Sequence, residues 1–281
     1  MALKLIQKNR MRKSTNICTL FLTVTLLNTC LSNPIHAQTK PDSIQRGHHV
    51  SSADDPSQFI TRTEIFNELQ HFDQDYNFNQ TIWRTNVKIG KRLTTRVDIP
   101  WVYNTKYSPE GYKHSGLGDI SFRLLGYRIL ESPRSAVTAS VEFSLNTAES
   151  PLLGTGKNLI IPLITYSRIF KPKKMILGLT FQQVNSFSGD ETRKQVNFSK
   201  FQAILIKTYT SKIWTVFITD WYADYENGGL SMNTKLRTGY GATRICHVWA
   251  QGGVGVFGDF FGRYQWSIEL GTRFFLLRKR N

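Results

Sequence analysis

Residues 264–276 read YQWSIELGTRFFL, the clearest alternation of apolar and polar residues in the chain. One set of alternate positions holds Tyr264, Trp266, Ile268, Leu270, Thr272, Phe274 and Leu276. Most positions between them are polar or charged, with Glu269 and Arg273 among them. Because successive side chains of a β-strand point to opposite faces, this period of two predicts a strand with one apolar and one polar face. A helix would scatter the apolar residues around its whole circumference.

The same alternation recurs along the chain from about residue 59. It predicts about twelve strands, with ten or fourteen as the alternative counts. These strands lie near 60–71, 79–89, 93–103, 118–130, 136–146, 158–170, 175–185, 195–208, 213–223, 231–244, 247–257 and 264–277. Lengths of about 10–14 residues match tilted strands that cross a membrane. The pattern therefore predicts an all-β fold, a transmembrane antiparallel up-and-down β-barrel, over residues 59–281.

The predicted connections alternate between short and long. The short ones are 90–92, 131–135, 171–174, 209–212 and a tight turn at Cys246, and the longer ones are 104–117, 147–157, 186–194, 224–230 and 258–263. Outer-membrane barrels have short periplasmic turns and longer outer loops. An even strand count then places both termini in the periplasm. A soluble β-sandwich, the alternative, needs no such alternation, and aromatic stripes on its outer faces would promote aggregation.

The composition of the 281-residue chain narrows its class. Hydrophobic residues make up 40% of the chain and the mean hydropathy is -0.30, which excludes a protein with several membrane-spanning helices. Aromatic residues reach 12%, which argues against a largely disordered chain. The formal net charge is +16. Because the basic residues are dispersed over turns of an exported chain, nucleic acid is not predicted as a partner.

The N-terminus has the three parts of a secretory signal peptide, predicted at residues 1–37. A basic start precedes the apolar residues 17–31, and residues 35–37 form the cleavage site. A membrane anchor is the alternative, but a spanning helix needs roughly 20 apolar residues. A lipoprotein signal that ends at Cys30 is a further alternative. Residues 38–58 are polar and lack periodicity, so they are predicted to be a flexible periplasmic segment.

Charge on the polar strand faces marks the predicted interior of the barrel. With the apolar faces turned to lipid, the candidate lumen-lining residues are Arg84, Lys88, Arg96, Asp98, Asp119, Arg123, Glu142, Arg237, Glu269 and Arg273. A charged residue on the lipid face would cost about 2–4 kcal/mol near the midplane, so energy and pattern agree. Both signs occur, with an excess of arginine. Such a ring either lines a narrow polar pore or locks the lumen shut.

A motif in the first half of the barrel resembles a known family. Residues 116–120 (GLGDI) lead into the strand SFRLLGYRIL, and residues 153–156 (LGTG) precede a strand that contains Pro162. Over about residues 79–170 this order resembles the outer-membrane barrel family described as the MetA pathway of phenol degradation family. The resemblance implies an outer-membrane channel or transporter for passive passage of small solutes, apolar or aromatic compounds among them.

Two glycines and an acid stand at the centre of that motif. Gly116 and Gly118 are the motif glycines, and they predict backbone angles closed to other residues at a loop-to-strand junction. Asp119 is predicted to face the lumen with Arg123. There it either forms a structural pair in the barrel wall or acts in selectivity.

No catalytic residue is predicted. An outer-membrane lipid hydrolase is the alternative from another class, and it would need a serine activated by a histidine. His71 and His114 are the histidines to consider, but G-x-S-x-G is absent from the sequence. A structural or adhesive barrel without transport is a third alternative. The sequence contains neither C-x-x-C nor H-E-x-x-H, so no metal site and no cofactor are predicted.

Residues at the ends of the strands indicate the partners. Basic residues concentrate in the short turns, as at 91–92 and 173–174, and at 278–280. They are solvated charges, an anion-attracting vestibule or a contact for anionic headgroups. Aromatic residues at strand ends, such as Trp101, predict contact with outer-membrane lipids. Phe274–Phe275 predict recognition by the barrel-assembly machinery. A small-molecule solute is the third predicted partner, and the bacterial outer membrane is the predicted location.

Cleavage of the signal peptide is directly testable. Removal of 37 of the 281 residues leaves 244 that begin with Gln38. Mass spectrometry of the chain recovered from outer membranes is expected to give the mass of residues 38–281. The variant A37R is expected to stay uncleaved, because the cleavage site needs a small residue. A wild-type chain that retains residues 1–37 would contradict the prediction.

Overall fold

The computed structural model describes residues 54–72, 76–106, 113–150, 152–258 and 264–276. Its strands are β1 (Arg62–His71), β2 (Tyr76–Ile89), β3 (Leu93–Lys106), β4 (Lys113–Leu117), β5 (Ser121–Glu131), β6 (Ser135–Ser144), β7 (Lys157–Phe170), β8 (Met175–Gly189), β9 (Asn197–Thr208), β10 (Ile213–Asp224), β11 (Leu230–Gly241), β12 (Cys246–Phe257) and β13 (Trp266–Phe275). The predicted signal peptide, residues 1–37, and residues 38–53 of the predicted flexible segment lie outside the described residues. Within those residues, no helix is long and apolar enough to span a membrane.

The strands form one antiparallel sheet that closes on itself. The last strand, β13, pairs with β1 from Arg62–Phe275 to His71–Trp266, and β2 joins β1 to β3. Strand β3 pairs with both β4 and β5, so these two form one barrel strand that is interrupted at residues 118–120. With β4 and β5 taken together, the described residues build a barrel of twelve strands. The predicted all-β antiparallel barrel and its strand count are confirmed.

The two ends of the barrel differ in their connections. At one end, which we call the short-turn end, residues 90–92, 132–134, 171–174, 209–212 and 242–245 join consecutive strands. The first residue of β1 and the last of β13 pair at this same end. At the opposite, long-loop end, the connections include residues 145–156, 190–196 and 258–265.

The outward face of the barrel is apolar. Large side chains such as Trp83, Trp101 and Leu270 are each more than half exposed on this face. The polar partners of these residues along each strand point inward, where Glu269 and Arg273 are buried. A continuous apolar exterior of this kind is typical of a barrel that faces lipid, because in water it would promote association.

The connection between β6 and β7 folds into the long-loop end of the barrel. Asn104 Nδ2 donates to the carbonyl of Leu152, and the side chain of Leu153 is buried. The backbone N–H of Glu149 donates to the carbonyl of Leu117 over 3.0 Å. This connection therefore narrows the lumen from the long-loop side.

The motif glycines provide space for that connection rather than an unusual backbone angle. A Cβ on Gly116 would lie 2.3 Å from Glu149 Oε2, and one on Gly118 would lie 2.8 Å from Val102 Cγ2. Neither glycine has a positive φ. The predicted need for backbone angles closed to other residues is therefore wrong. Gly116 makes room for the β6–β7 connection, and Gly118 makes room chiefly for side chains of β3 and also for the carbonyl of Leu153.

Glycine serves the same purpose beneath an inward tryptophan, and this can be tested. A Cβ on Gly239 would lie 2.1 Å from Trp214 Cζ2, whereas one on Gly252 would meet no atom within 4 Å. We expect G239A to lower the free energy of unfolding by about 1–3 kcal/mol, because a buried ring must move. The matched control G252A is expected to stay within about 0.5 kcal/mol of wild type. Urea unfolding of the barrel in vesicles measures both; equal effects would contradict the packing described.

Candidate functional site: the barrel lumen

The barrel encloses a cavity of about 470 Å³. Every strand except β4 contributes to its lining. Of the residues proposed from sequence as lumen-lining, those that border this cavity are Arg84, Arg96, Arg123, Glu142, Arg237, Glu269 and Arg273. The alternation of the strands places them there, because inward positions recur at every second residue.

One group of charges spans β2, β3, β5 and β6. Arg84 forms a bidentate pair with Asp98, with Nε 2.9 Å from Oδ1 and Nη2 2.7 Å from Oδ2. Arg96 Nε lies 3.4 Å from the same carboxylate, and Arg96 Nη2 also contacts Glu142. Arg123 Nη2 lies 3.3 Å from Glu142 Oε2. The structure thus brings five of the predicted residues together as one network of three arginines and two carboxylates.

Two of the residues predicted to line the lumen lie elsewhere. Lys88 is exposed near the short-turn end, outside the cavity. Asp119 belongs to the long-loop end, where its carboxylate accepts from the N–H of Thr155 over 2.6 Å and from that of Ala148 over 3.2 Å. Asp119 does not border the cavity or pair with Arg123 but holds the β6–β7 connection. Residues 118–120 interrupt the strand between β4 and β5, so the alternation of inward and outward positions does not continue through them.

The lumen contains a second network of charged residues, none of which is among those predicted from the sequence to line it. Lys235 Nζ lies 3.4 Å from Glu68 Oε1 and 3.8 Å from Asp220 Oδ2. Lys200 Nζ lies 3.1 Å from Asp220 Oδ1. The signal for Glu68 was present, because it alternates with Leu69 on β1. Asp220 gave no such signal, since it shares its inward face with apolar neighbours.

Residues 54–60, which we call the strap, cross the lumen near the short-turn end. Ser57 Oγ lies 2.6 Å from Ser167 Oγ on β7. Arg128 Nη2 on β5 donates to the carbonyl of Ser57 over 3.2 Å, and its guanidinium lies 4.8 Å from the ring centroid of Phe59. Both Ser57 and Phe59 are buried. The strap therefore forms the floor of the cavity.

Asp54 fixes the start of the strap to the opposite wall. Its Oδ1 lies 3.0 Å from Arg237 Nη1 and 3.1 Å from Arg273 Nη2, and Trp214 Nε1 donates to Oδ2. Burial alone would raise the pKa of Asp54, but the charges of Arg273 and Arg237 hold it below its ordinary value. The carboxylate is therefore ionised at neutral pH. Residues 54–58, predicted to be flexible, are instead held by these contacts with the wall.

The wall beside Asp54 has more positive than negative charge. Glu64 pairs with Arg62 Nε over 2.8 Å and with Arg273 Nε. Glu269 Oε1 pairs with Arg237 Nη2 over 2.9 Å. Without the strap, three arginines would face two carboxylates. Asp54 supplies the third carboxylate that balances this network.

Part of the lumen wall is apolar. Trp214, Val216 and Ile218 point inward from β10 and pack with Ile204 and Ile176 from the neighbouring strands. The cavity is bordered by Ile204 and Ile218 on this side, and elsewhere by charged and polar residues together with apolar ones such as Phe66 and Leu163. The interior can therefore contact both a charged group and an apolar surface of one solute.

The histidines considered for a hydrolase lie on separate strands. His71 Nδ1 lies 2.9 Å from Asn77 Oδ1, and its ring stacks on Trp266 with the centroids 5.2 Å apart. His114 lies on β4, and β2 and β3 separate it from His71 in the sheet. The structure does not bring these two residues onto neighbouring strands.

Solved structures of outer-membrane proteins share this architecture. An outer membrane channel from Pseudomonas putida F1 aligns with a TM-score of 0.64 and 13% identity, over 79% of this chain and 99% of that one. The NanC porin aligns with a TM-score of 0.55 and 11% identity, over 76% and 100% of the two chains. The KdgM porin, solved in complex with disordered oligogalacturonate, aligns with a TM-score of 0.55 and 7% identity, over 77% and 99%. This chain therefore shares the β-barrel fold of these outer-membrane proteins.

Comparisons based on sequence, unlike those based on structure, found no relative. No protein-family model matches the chain, and no curated protein matches it. The resemblance to the phenol-degradation family over about residues 79–170 therefore stays a prediction. At identities of 7–13% the structural likeness shows the fold alone.

The ion pair of Arg84 with Asp98 predicts that replacing the Asp98 carboxylate by an amide destabilises the barrel. D98N is expected to lower the free energy of unfolding by about 3 kcal/mol, because it leaves the guanidinium group of Arg84 without its carboxylate and Arg96 with Glu142 alone. The control E131Q removes a pair with Arg128 whose carboxylate side chain is 46% exposed, and should change stability by less than about 1 kcal/mol. Denaturant unfolding in vesicles compares them. A D98N barrel as stable as E131Q would contradict the assigned network.

Proposed function

We propose that this protein is an outer-membrane channel for passive passage of small solutes, closed at its short-turn end by the strap. The observation that carries the proposal is a charged cavity of about 470 Å³ inside a closed barrel whose exterior is apolar. A lipid-facing exterior and a polar interior are the two requirements of a barrel that conducts solutes through a membrane.

The dimensions of the lumen favour small solutes. Ligand pockets of about 300–1,000 Å³ hold small molecules, and the cavity falls in this range. Twelve strands make a narrower barrel than the sixteen or so of open porins. Glu64 pairs with Arg62, and Glu68 and Asp220 pair with Lys235 and Lys200, so carboxylates offset much of the positive charge in the lumen. Because the wall also contains Ile204 and Ile218, solutes with both a polar group and an apolar body fit it best.

The orientation in the envelope follows from the same proposal. Both ends of the described barrel chain lie at the short-turn end, and outer-membrane barrels keep their short turns in the periplasm. The predicted signal peptide and the family resemblance support export to the outer membrane. The strap then closes the periplasmic mouth. Outer-membrane lipids and the barrel-assembly machinery remain the proposed partners besides the solute.

Single-channel conductance of a variant whose strap can be cross-linked reversibly to β7 tests this function. The Oγ atoms of Ser57 and Ser167 are 2.6 Å apart, close to the roughly 2.05 Å of a disulfide bond, so cysteines at both positions should cross-link. In a background without native cysteines, S57C/S167C is expected to show no openings in a planar bilayer when oxidised. Dithiothreitol should restore the wild-type openings, because the strap can leave again.

Two further variants, S57C alone and D54A, complete this test. S57C alone should show the same conductance before and after reduction. D54A should raise the open probability about tenfold, because the strap loses its charged anchor. The absence of conductance from wild type, D54A and the reduced double variant alike would refute the channel. Equal conductance of the oxidised and reduced double variant would refute closure by the strap.

A further inference from the structure

The Asp54 carboxylate occupies a site that is built to hold an anion. Arg237 on β11, Arg273 on β13 and Trp214 on β10 all donate to it, with the two guanidinium contacts at 3.0 and 3.1 Å. Hydrogen bonds between guanidinium and carboxylate groups are stronger and more directional than neutral ones. The wall thus contributes three convergent donors, and the strap contributes only the acceptor.

The donors are held in place by contacts that do not involve Asp54. The guanidinium carbons of Arg237 and Arg273 lie 5.2 and 5.1 Å from the ring of Trp249. The indole of Trp214 packs against Gly239, where a Cβ would be 2.1 Å from Trp214 Cζ2. Arg273 is 2% exposed, and among the described residues its Nη1 has no hydrogen-bond partner. The site would therefore persist, with its donors unsatisfied, after Asp54 left it.

An apolar surface adjoins this anion site. Trp214 also belongs to the inward cluster that contains Val216 and Ile218. The strap itself places Pro56 against the wall, where a Cβ on Gly178 would lie 3.0 Å from Pro56 Cγ. The strap thus presents a carboxylate and, two residues later, an apolar ring. A free ligand with the same two features would match the wall in the same way.

We propose that Arg237, Arg273 and Trp214 form a binding site for the carboxylate of a small organic acid with an apolar body, and that Asp54 occupies this site as an internal competitor. A solute that takes the site releases the strap from its anchor. The binding site stands on the geometry of the wall, whereas its role in opening rests on the proposed channel function. The solute would then promote its own passage.

Binding of benzoate to the refolded chain tests the site without reference to conductance. Isothermal titration calorimetry should show D54A binding benzoate about tenfold more tightly than wild type, because no internal carboxylate competes. Benzamide, which has the shape of benzoate without its charge, should bind neither to wild type nor to D54A. D55N is the matched control, since the Asp55 carboxylate accepts from Ser57 and Gln58 within the strap. It should bind benzoate as wild type does.

A second variant keeps the test decisive. W214F in the D54A background retains a ring but removes the indole donor, and should weaken benzoate binding about tenfold. Equal affinity of wild type and D54A for benzoate, or equal affinity of D54A for benzamide and benzoate, would overturn the site. Benzoate binding without conductance from any variant would refute the channel and leave the site. Conductance of D54A without benzoate binding would refute the site and leave the channel.

Discussion

The ion pairs of Asp54 with Arg237 and Arg273 are the interaction on which the position of the strap depends. Arg62, Arg237 and Arg273 share two wall carboxylates, so the wall alone leaves an excess positive charge in a narrow lumen. Asp54 removes that excess and, because it precedes β1 by only a few residues, draws the strap across the short-turn end. The ion pairs of Asp54 with the wall therefore also hold the strap across the short-turn end of the lumen.

The two ends of the barrel are narrowed by different means. At the long-loop end, the β6–β7 connection enters the lumen and is fixed by hydrogen bonds of Asn104 and Leu117 with its backbone and by the space above Gly116. At the short-turn end, the strap is held by the ion pairs of Asp54 and by contacts of Ser57 with the wall. The strap belongs to no strand of the sheet, and segments outside the sheet open at a lower free energy than the sheet itself. The proposed gate therefore belongs at the short-turn end.

Alternation alone predicts the strands and much of the lumen, because it follows from the geometry of a single strand. The last strand is predicted at 264–277 and observed as Trp266–Phe275. Alternation fails where both faces are apolar: on β10, Ile218 points inward and Phe217 outward, so Asp220 gives no sign of its lumenal position. It also fails for the strap, whose residues lack periodicity. Its order comes from tertiary pairing of Asp54 with strands far along the chain, and no local pattern encodes that.

The accessibility of position 57 tests most directly whether Asp54 keeps the strap in the lumen. Ser57 is fully buried beneath the cavity. The rate at which a membrane-impermeant maleimide modifies S57C, in a chain without other cysteines, reports how often the strap leaves. We expect slow modification of S57C, and modification about tenfold faster when D54A is added. Rapid modification that is the same with and without Asp54 would contradict it.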